Sequence, residues 1–248
     1  MAQLNRSRDF GMSLILYLFT AFAWWFLAIG LGSYVALFAY TRIQELDNYS
    51  IWLILSQAGA IFLAIMAGGI AYSLVPTGVA QGVTRRELSA GFLMFAVVAP
   101  PLMALITIAG YTGEYFLLTA LDSQQKLVGG LWAEVSGSVS DTLIDGLLTF
   151  PVYYVYTFVG MLTGVLIYRM AGQSTIPVIF VIAGGVITVN GLSDTNLVDA
   201  PLPIRLTFGL IADVDLQYKL LVVAVLLILY GYLVRRLLSD VAIRSHTA

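Results

Sequence analysis

Cysteine is absent from this chain of 248 residues, and histidine occurs once, as His246. The first absence removes disulfides, thiolate metal sites and thiol nucleophiles. The second leaves no imidazole base for a serine inside an apolar segment, because His246 sits in the polar tail beyond the last apolar run; a membrane-embedded Ser–His hydrolase is excluded. Charge is scarce as well. Asp, Glu, Lys and Arg make up 10% of the chain, against about 25% in a soluble domain. Tyr49–Thr84 holds no charged residue, and neither does Leu88–Gly113. No ionisable group falls near the middle of an apolar run; Glu114, toward the end of the third, comes closest. Proton- or sodium-coupled carriers place such groups at midplane. No GxxxxGK[ST] phosphate loop occurs, so ATP is not hydrolysed by this chain. No enzyme activity, cofactor or metal site is expected, and the net charge of −2 gives no footing for nucleic acid.

What is present is apolar. Hydrophobic residues make up 60% of the chain, and the mean hydropathy is +0.91. This composition predicts an all-α membrane protein, a single transmembrane domain over residues 1–248. A crossing helix needs about 20 apolar residues. Six segments qualify, at roughly 13–40, 51–75, 88–117, 146–168, 174–192 and 216–234. The sixth is short and contains Lys219, whose stem can snorkel to an interface. The start, MAQLNRSRDF, is too polar and the first apolar run too long for a cleaved signal peptide.

Charge sets the orientation. With both termini on one side, that side collects Arg6, Arg8, Arg85, Arg86, Arg169, Arg235, Arg236 and Arg244. The other side holds four basic residues, Arg42, Lys126, Arg205 and Lys219, among eleven acidic ones. Basic residues concentrate in the cytosol, so both termini are expected there. An even number of spans agrees. The outer loops are then 118–145 and 193–215, and the inner break is 76–88.

In the first outer loop Leu127, Leu131, Val135, Val139 and Leu143 recur every four residues. That spacing fits an amphipathic segment on the outer surface or an extension of the fourth span; the second outer loop, with Pro201 and Pro203, reads as an ordinary connector in preference to a segment that dips into the interface. Pro100 and Pro101 predict a kink in the third span. Small residues line several spans, at Ala28/Gly32/Ala36, Ala60/Ala64/Gly68 and Gly160/Gly164. Such stripes let membrane helices approach closely, within one subunit or against a second copy.

The inner break, PTGVAQGVTRRELSAG over Pro76–Gly91, has the sharpest local chemistry. Pro76 is expected to end the second span, with a short cytosolic helix over Thr77–Gln81 and a left-handed stop at Gly82. Thr84 followed by Glu87 three residues on matches a capping box that starts the third span. The paired Arg85 and Arg86 fit either a docking surface or an anchor to lipid headgroups.

The stretch GVTRRELSAG, Gly82–Gly91, resembles the G-[VS]-[ST]-R-[KR]-[ED]-x-x-x-G segment of the permease subunits of ABC transporters, in the type-2 exporter family of six-span half transporters. The resemblance extends over almost the whole chain: a short basic start, six spans, both ends inside. It implies that Gly82, Thr84, Arg85, Arg86 and Glu87 lie at a coupling site for a separate ATPase subunit. It also implies that Asn5–Phe10, with Arg6, Arg8 and Phe10, is an interfacial segment. Longer members carry a large outer region after the fifth span, whereas here the longer outer loop follows the third.

The expectation is therefore a permease in a bacterial plasma membrane, working with two ATPase subunits and a second copy or a related permease. Its apolar walls favour a lipid, a hydrophobic drug or an amphipathic peptide as cargo. Gly32, Ala64, Gly68, Gly160 and Gly164 are its candidate packing or dimer positions. Two other classes remain open: the substrate-binding membrane subunit of a vitamin or metal importer, which would need polar contacts such as Glu114 and Asn190, and a non-transporting scaffold.

Overall fold

A long uncharged apolar run in a bilayer must satisfy its own backbone groups, and a helix does so within one segment. The computed structural model describes residues 9, 12–18, 20, 24, 51–80, 82–120, 139–170, 176–192 and 216–239. Every regular element among these residues is helical, and none is a strand. Helix α1 covers 12–18. It is followed by α2 (Ile51–Ala80), α3 (Arg85–Ala120), α4 (Val139–Met170), α5 (Ile176–Leu192) and α6 (Leu216–Ser239).

Four of these helices are long and apolar enough to cross a membrane, over Leu55–Gly78, Arg85–Phe116, Gly146–Met170 and Leu220–Leu238. Helix α5 has 17 residues, and its apolar part is Ile176–Gly185. Most of the expected first span, with Ala28, Gly32 and Ala36, lies outside the described residues. So do Arg6, Arg8 and Phe10, and residues 121–138 and 193–215 of the outer loops.

Helix α4 is the centre of the bundle. Two-thirds (67%) of its spanning stretch is buried, against 17% for that of α6. It packs against α2, α3, α5 and α6. One core joins Leu18 of α1, Leu63 and Ala67 of α2, Phe92, Phe95 and Met103 of α3, Tyr153, Met161 and Leu162 of α4, and Leu238 of α6. Large apolar side chains also cover the outside: Ile65, Phe180, Leu221 and Ile228 are exposed. Helices apolar on every face belong in lipid or in a protein core.

Two local expectations change. Pro76 does not end its helix, and the described part of the expected separate helix, Thr77–Ala80, belongs to α2, which runs unbroken through Pro76 to Ala80. Proline removes one backbone donor, and packing holds the turn after it in line. Val75 and Gly78 are buried on either side, and Leu88 of α3 presses on Gly78, its Cδ1 lying 3.0 Å from where a β-carbon would sit. The hydroxyls of Ser73 and Thr77 add bonds to the Gly69 and Ser73 carbonyls around the proline (2.7 and 2.9 Å). Helix α3 holds Pro100 and Pro101, the site of the expected kink, inside one continuous helix, as a kinked helix also would. At the outer end, Val139 and Leu143 belong to the first turns of α4, so this part of the four-residue repeat extends the fourth span; Leu127, Leu131 and Val135 lie outside the described residues.

Candidate docking site at the α2–α3 turn

The chain passes from α2 to α3 in residues 81–84, and each described step of that passage is held. Gly82 adopts φ = 77°, the left-handed conformation that glycine reaches without a β-carbon penalty. This reverses the chain so that the Val83 amide donates back to the Gly78 carbonyl at 2.9 Å, satisfying an acceptor at the end of α2. Thr84 then caps α3. The Glu87 carboxylate accepts from the Thr84 backbone N–H (2.9 Å) and hydroxyl (2.7 Å), while the Glu87 amide reaches the Thr84 Oγ1 at 3.3 Å. The pair forms a reciprocal capping box. The Leu88 amide makes the first helical bond, to the Thr84 carbonyl at 2.9 Å.

The same geometry sorts the side chains. Glu87, Leu88 and Ser89 turn inward and are buried; Thr84, Arg85 and Arg86 are exposed. The Ser89 hydroxyl donates to the Arg86 carbonyl at 3.0 Å, fixing the backbone under the second arginine. Helices α2 and α4 run parallel, with Ala64 beside Gly160 and Gly68 beside Gly164, so Arg169 in the last turn of α4 falls at the same end of the bundle. Three arginines thus share one end, and Glu114 lies toward the other.

Glu114 is buried and accepts the Trp52 backbone N–H at 3.4 Å, placing a carboxylate at the N-terminus of α2. The ring of Trp52 fills the space over Gly110. Among the described residues no group of His, Asp and Glu could hold a metal ion.

The small-residue stripes meet each other within the chain. A β-carbon on Gly160 would collide with the Ala64 carbonyl, and one on Gly164 with the Gly68 carbonyl. A β-carbon on Gly68 would come within 2.9 Å of the Gly160 carbonyl oxygen. Next to this contact an apolar groove of about 500 Å³ separates α2 and α4 from α5. Its floor includes Gly68, Gly69 and Gly164; Tyr72, Ile167 and Ile182 stand along it.

Two features were not legible from spacing. One is Gly78, which accepts the Val83 bond and admits Leu88. The other is a hydroxyl cluster joining three helices. Thr107 Oγ1 lies 2.6 Å from the Tyr153 hydroxyl, which lies 3.2 Å from the Ser56 carbonyl; the Ser56 and Tyr111 hydroxyls are 3.3 Å apart. Single hydroxyl residues on separate apolar helices carry no signal of their pairing. Compared with family models, with curated proteins and with solved structures, the chain finds no match.

Proposed function

We propose that this chain is the membrane-spanning permease subunit of an ATP-driven exporter of the ABC type-2 kind. In this reading it sits in a bacterial plasma membrane with both termini cytosolic. Two copies, or one copy and a related permease, form the pathway above two separate ATPase subunits. The observation that carries the reading is the α2–α3 turn: four residues, capped on both sides, with Arg85 and Arg86 exposed and Glu87 spent on the cap. A slack loop would absorb a push from below, whereas a turn closed by the Gly82 reversal and the capping box passes it to both helices. The coupling element is thus a rigid turn. The apolar groove lining supports a lipid, hydrophobic drug or amphipathic peptide as cargo.

The test is reconstitution. The tagged chain is purified in mild detergent, and an accompanying ATPase carrying a phosphate loop is identified and returned with it to proteoliposomes. Arg86→Glu reverses one charge on an exposed face and should leave insertion intact. It should lose the ATPase, or keep it while transport no longer follows hydrolysis. Undiminished binding and coupled transport in a properly inserted Arg86→Glu protein would return the arginines to lipid anchors. Absence of any ATPase would remove the permease reading itself.

A further inference from the structure

We propose that the groove between α2, α4 and α5 binds one acyl chain of an anionic phospholipid drawn from the leaflet at the arginine end. The groove opens sideways, toward lipid: Ile65, Tyr72, Ile167 and Ile182 line it, and all four are exposed. Its volume of about 500 Å³ suits a single acyl chain. No side chain projects from Gly68, Gly69 or Gly164 to fill it, and a β-carbon built on Gly69 meets no atom within 4 Å.

Depth, length and polarity identify the occupant. On α2 the lining runs from Ala64 to Tyr72, within the span Leu55–Gly78; on α4 it runs from Val155 to Ile167, within the span Gly146–Met170. Both stretches begin near the middle of their span and run toward the arginine end. At about 1.5 Å per residue the α4 stretch measures roughly 18 Å. Half of a hydrocarbon core of ~30 Å is close to that length, so the groove has the depth of one leaflet. A peptide there would bring backbone donors and acceptors, most of which a largely aliphatic wall leaves unpaired; an acyl chain brings none. The two ends of the groove differ. At the inner end Ala64 and Val155 are apolar. At the arginine end Tyr72 stands edge-on to Tyr168, with ring centroids 6.5 Å apart, and tyrosines favour the level of the headgroups. The same end carries Arg169, exposed and without an ion pair among the described residues, and the N-terminus of α5, the positive end of its dipole. An apolar slot with positive charge at its outer end complements an acyl chain beneath a phosphate. This site needs a membrane around the bundle but no ATPase beneath it, so it is independent of the permease reading.

Photoreactive phosphatidylglycerol tests the site on the unaltered chain. The protein is placed in liposomes holding a trace of phosphatidylglycerol with a diazirine in one acyl chain. It is extracted into mild detergent, which strips loosely held lipid, and then irradiated. Peptide mapping should find label in the groove and none on Leu221 and Ile228, exposed residues of α6. A diazirine beside the ester should label Tyr72 or Ile167, and one at the chain end should label Ile65, deeper on α2. No retained lipid, label spread over Leu221 and Ile228, or the reverse order along α2 would overturn the proposal. So would a dimer whose groove takes no label, which would give the groove to a second copy. Two variants add a second arm. Gly69→Phe fills the groove, whereas Gly113→Phe puts the same ring on α3, at a glycine that also faces open space. The first should lose the groove label and the second should keep it. Label that persists in a folded Gly69→Phe protein, or that both variants lose, would overturn the proposal; if Gly69→Phe does not fold, the map on the parent chain decides. Unlabelled phosphatidylglycerol should compete the label away at lower concentration than phosphatidylcholine, and equal competition would overturn the anionic assignment. Loss of the groove label leaves the permease reading standing, and absence of an ATPase changes none of these outcomes.

Discussion

Gly164 of α4 lies directly on the backbone carbonyl of Gly68 in α2, so close that a single methyl group has no place between them. Lipid tails are as apolar as leucine, so membrane helices gain little from merely hiding hydrophobic surface from lipid. What they gain is contact, and backbone against backbone gives the densest contact. Gly164→Ala should therefore destabilise the protein by about 1–3 kcal/mol, the range for overpacking, or prevent folding where the carbonyl does not yield. Gly69→Ala, one position from Gly68 but facing open space, should be neutral or stabilising by up to about 1 kcal/mol through helix propensity. Unfolding midpoints in mixed detergent and denaturant compare the two. Equal destabilisation would contradict the packing described.

The α2–α3 turn gives a second contrast. Glu87→Ala removes both acceptor contacts to Thr84 and should cost about 1 kcal/mol, the typical value of a helix N-cap. Thr84→Ser keeps the hydroxyl and should be near neutral. Gly82→Ala forces a β-carbon into a left-handed conformation and should cost about 1–2 kcal/mol. These losses are too small to unfold the bundle, so all three variants should reach the membrane in normal yield. Amide exchange should quicken at Val83–Leu88 in Glu87→Ala and Gly82→Ala, and remain at the parent rate in Thr84→Ser.

The hydroxyl cluster predicts energetic coupling between two distant positions in the chain. Each hydroxyl has one proton: either Thr107 donates to Tyr153 and Tyr153 to the Ser56 carbonyl, or Tyr153 donates to Thr107 and Thr107 to the Met103 carbonyl at 3.1 Å, and the 2.6 Å contact is a hydrogen bond in both. Tyr153→Phe and Thr107→Val should each destabilise the protein. Their double-mutant cycle should return a coupling of about 0.6–1.7 kcal/mol, as for hydrogen bonds between membrane helices. A coupling of zero would mean that the 2.6 Å contact contributes nothing to stability.

These three sites differ in how far the sequence disclosed them, and the difference follows the range of the interactions. Thr84 and Glu87 interact within one helical turn, so hydroxyl and acid three residues apart already spell the capping box. Gly82 was legible for the same reason: its φ is a property of one residue in one turn. Pro76 misled because its local effect, loss of a donor, is outweighed by contacts from Leu88 that the local pattern does not contain. The glycine stripes announced close approach, but only the fold matched Gly160 and Gly164 to Ala64 and Gly68 in preference to a second copy. Tyr153 and Thr107 stand 46 positions apart, and nothing in either helix marks the other as its partner. Apolar length predicted the helices over 51–75, 88–117 and 146–168 to within a few turns; the structure lengthens each, because a helix continues past its apolar stretch wherever caps and neighbours hold it.

Orientation is the remaining consequence of the sequence that a direct measurement can decide. Arg85, Arg86 and Arg169 share one end of the bundle, and a six-span topology would put eight basic residues on that side against four on the other. Basic residues resist translocation, so that end should face the cytosol. The natural absence of cysteine makes the measurement clean. Arg85→Cys and Ser140→Cys each put one thiol at an exposed position, near opposite ends of the helices. A membrane-impermeant maleimide applied to intact cells should label Ser140→Cys and spare Arg85→Cys, which should react only after permeabilisation. The reverse pattern would invert the bundle and place the paired arginines outside. The α2–α3 turn would then be out of reach of any cytosolic ATPase, and the proposed coupling would fail with it.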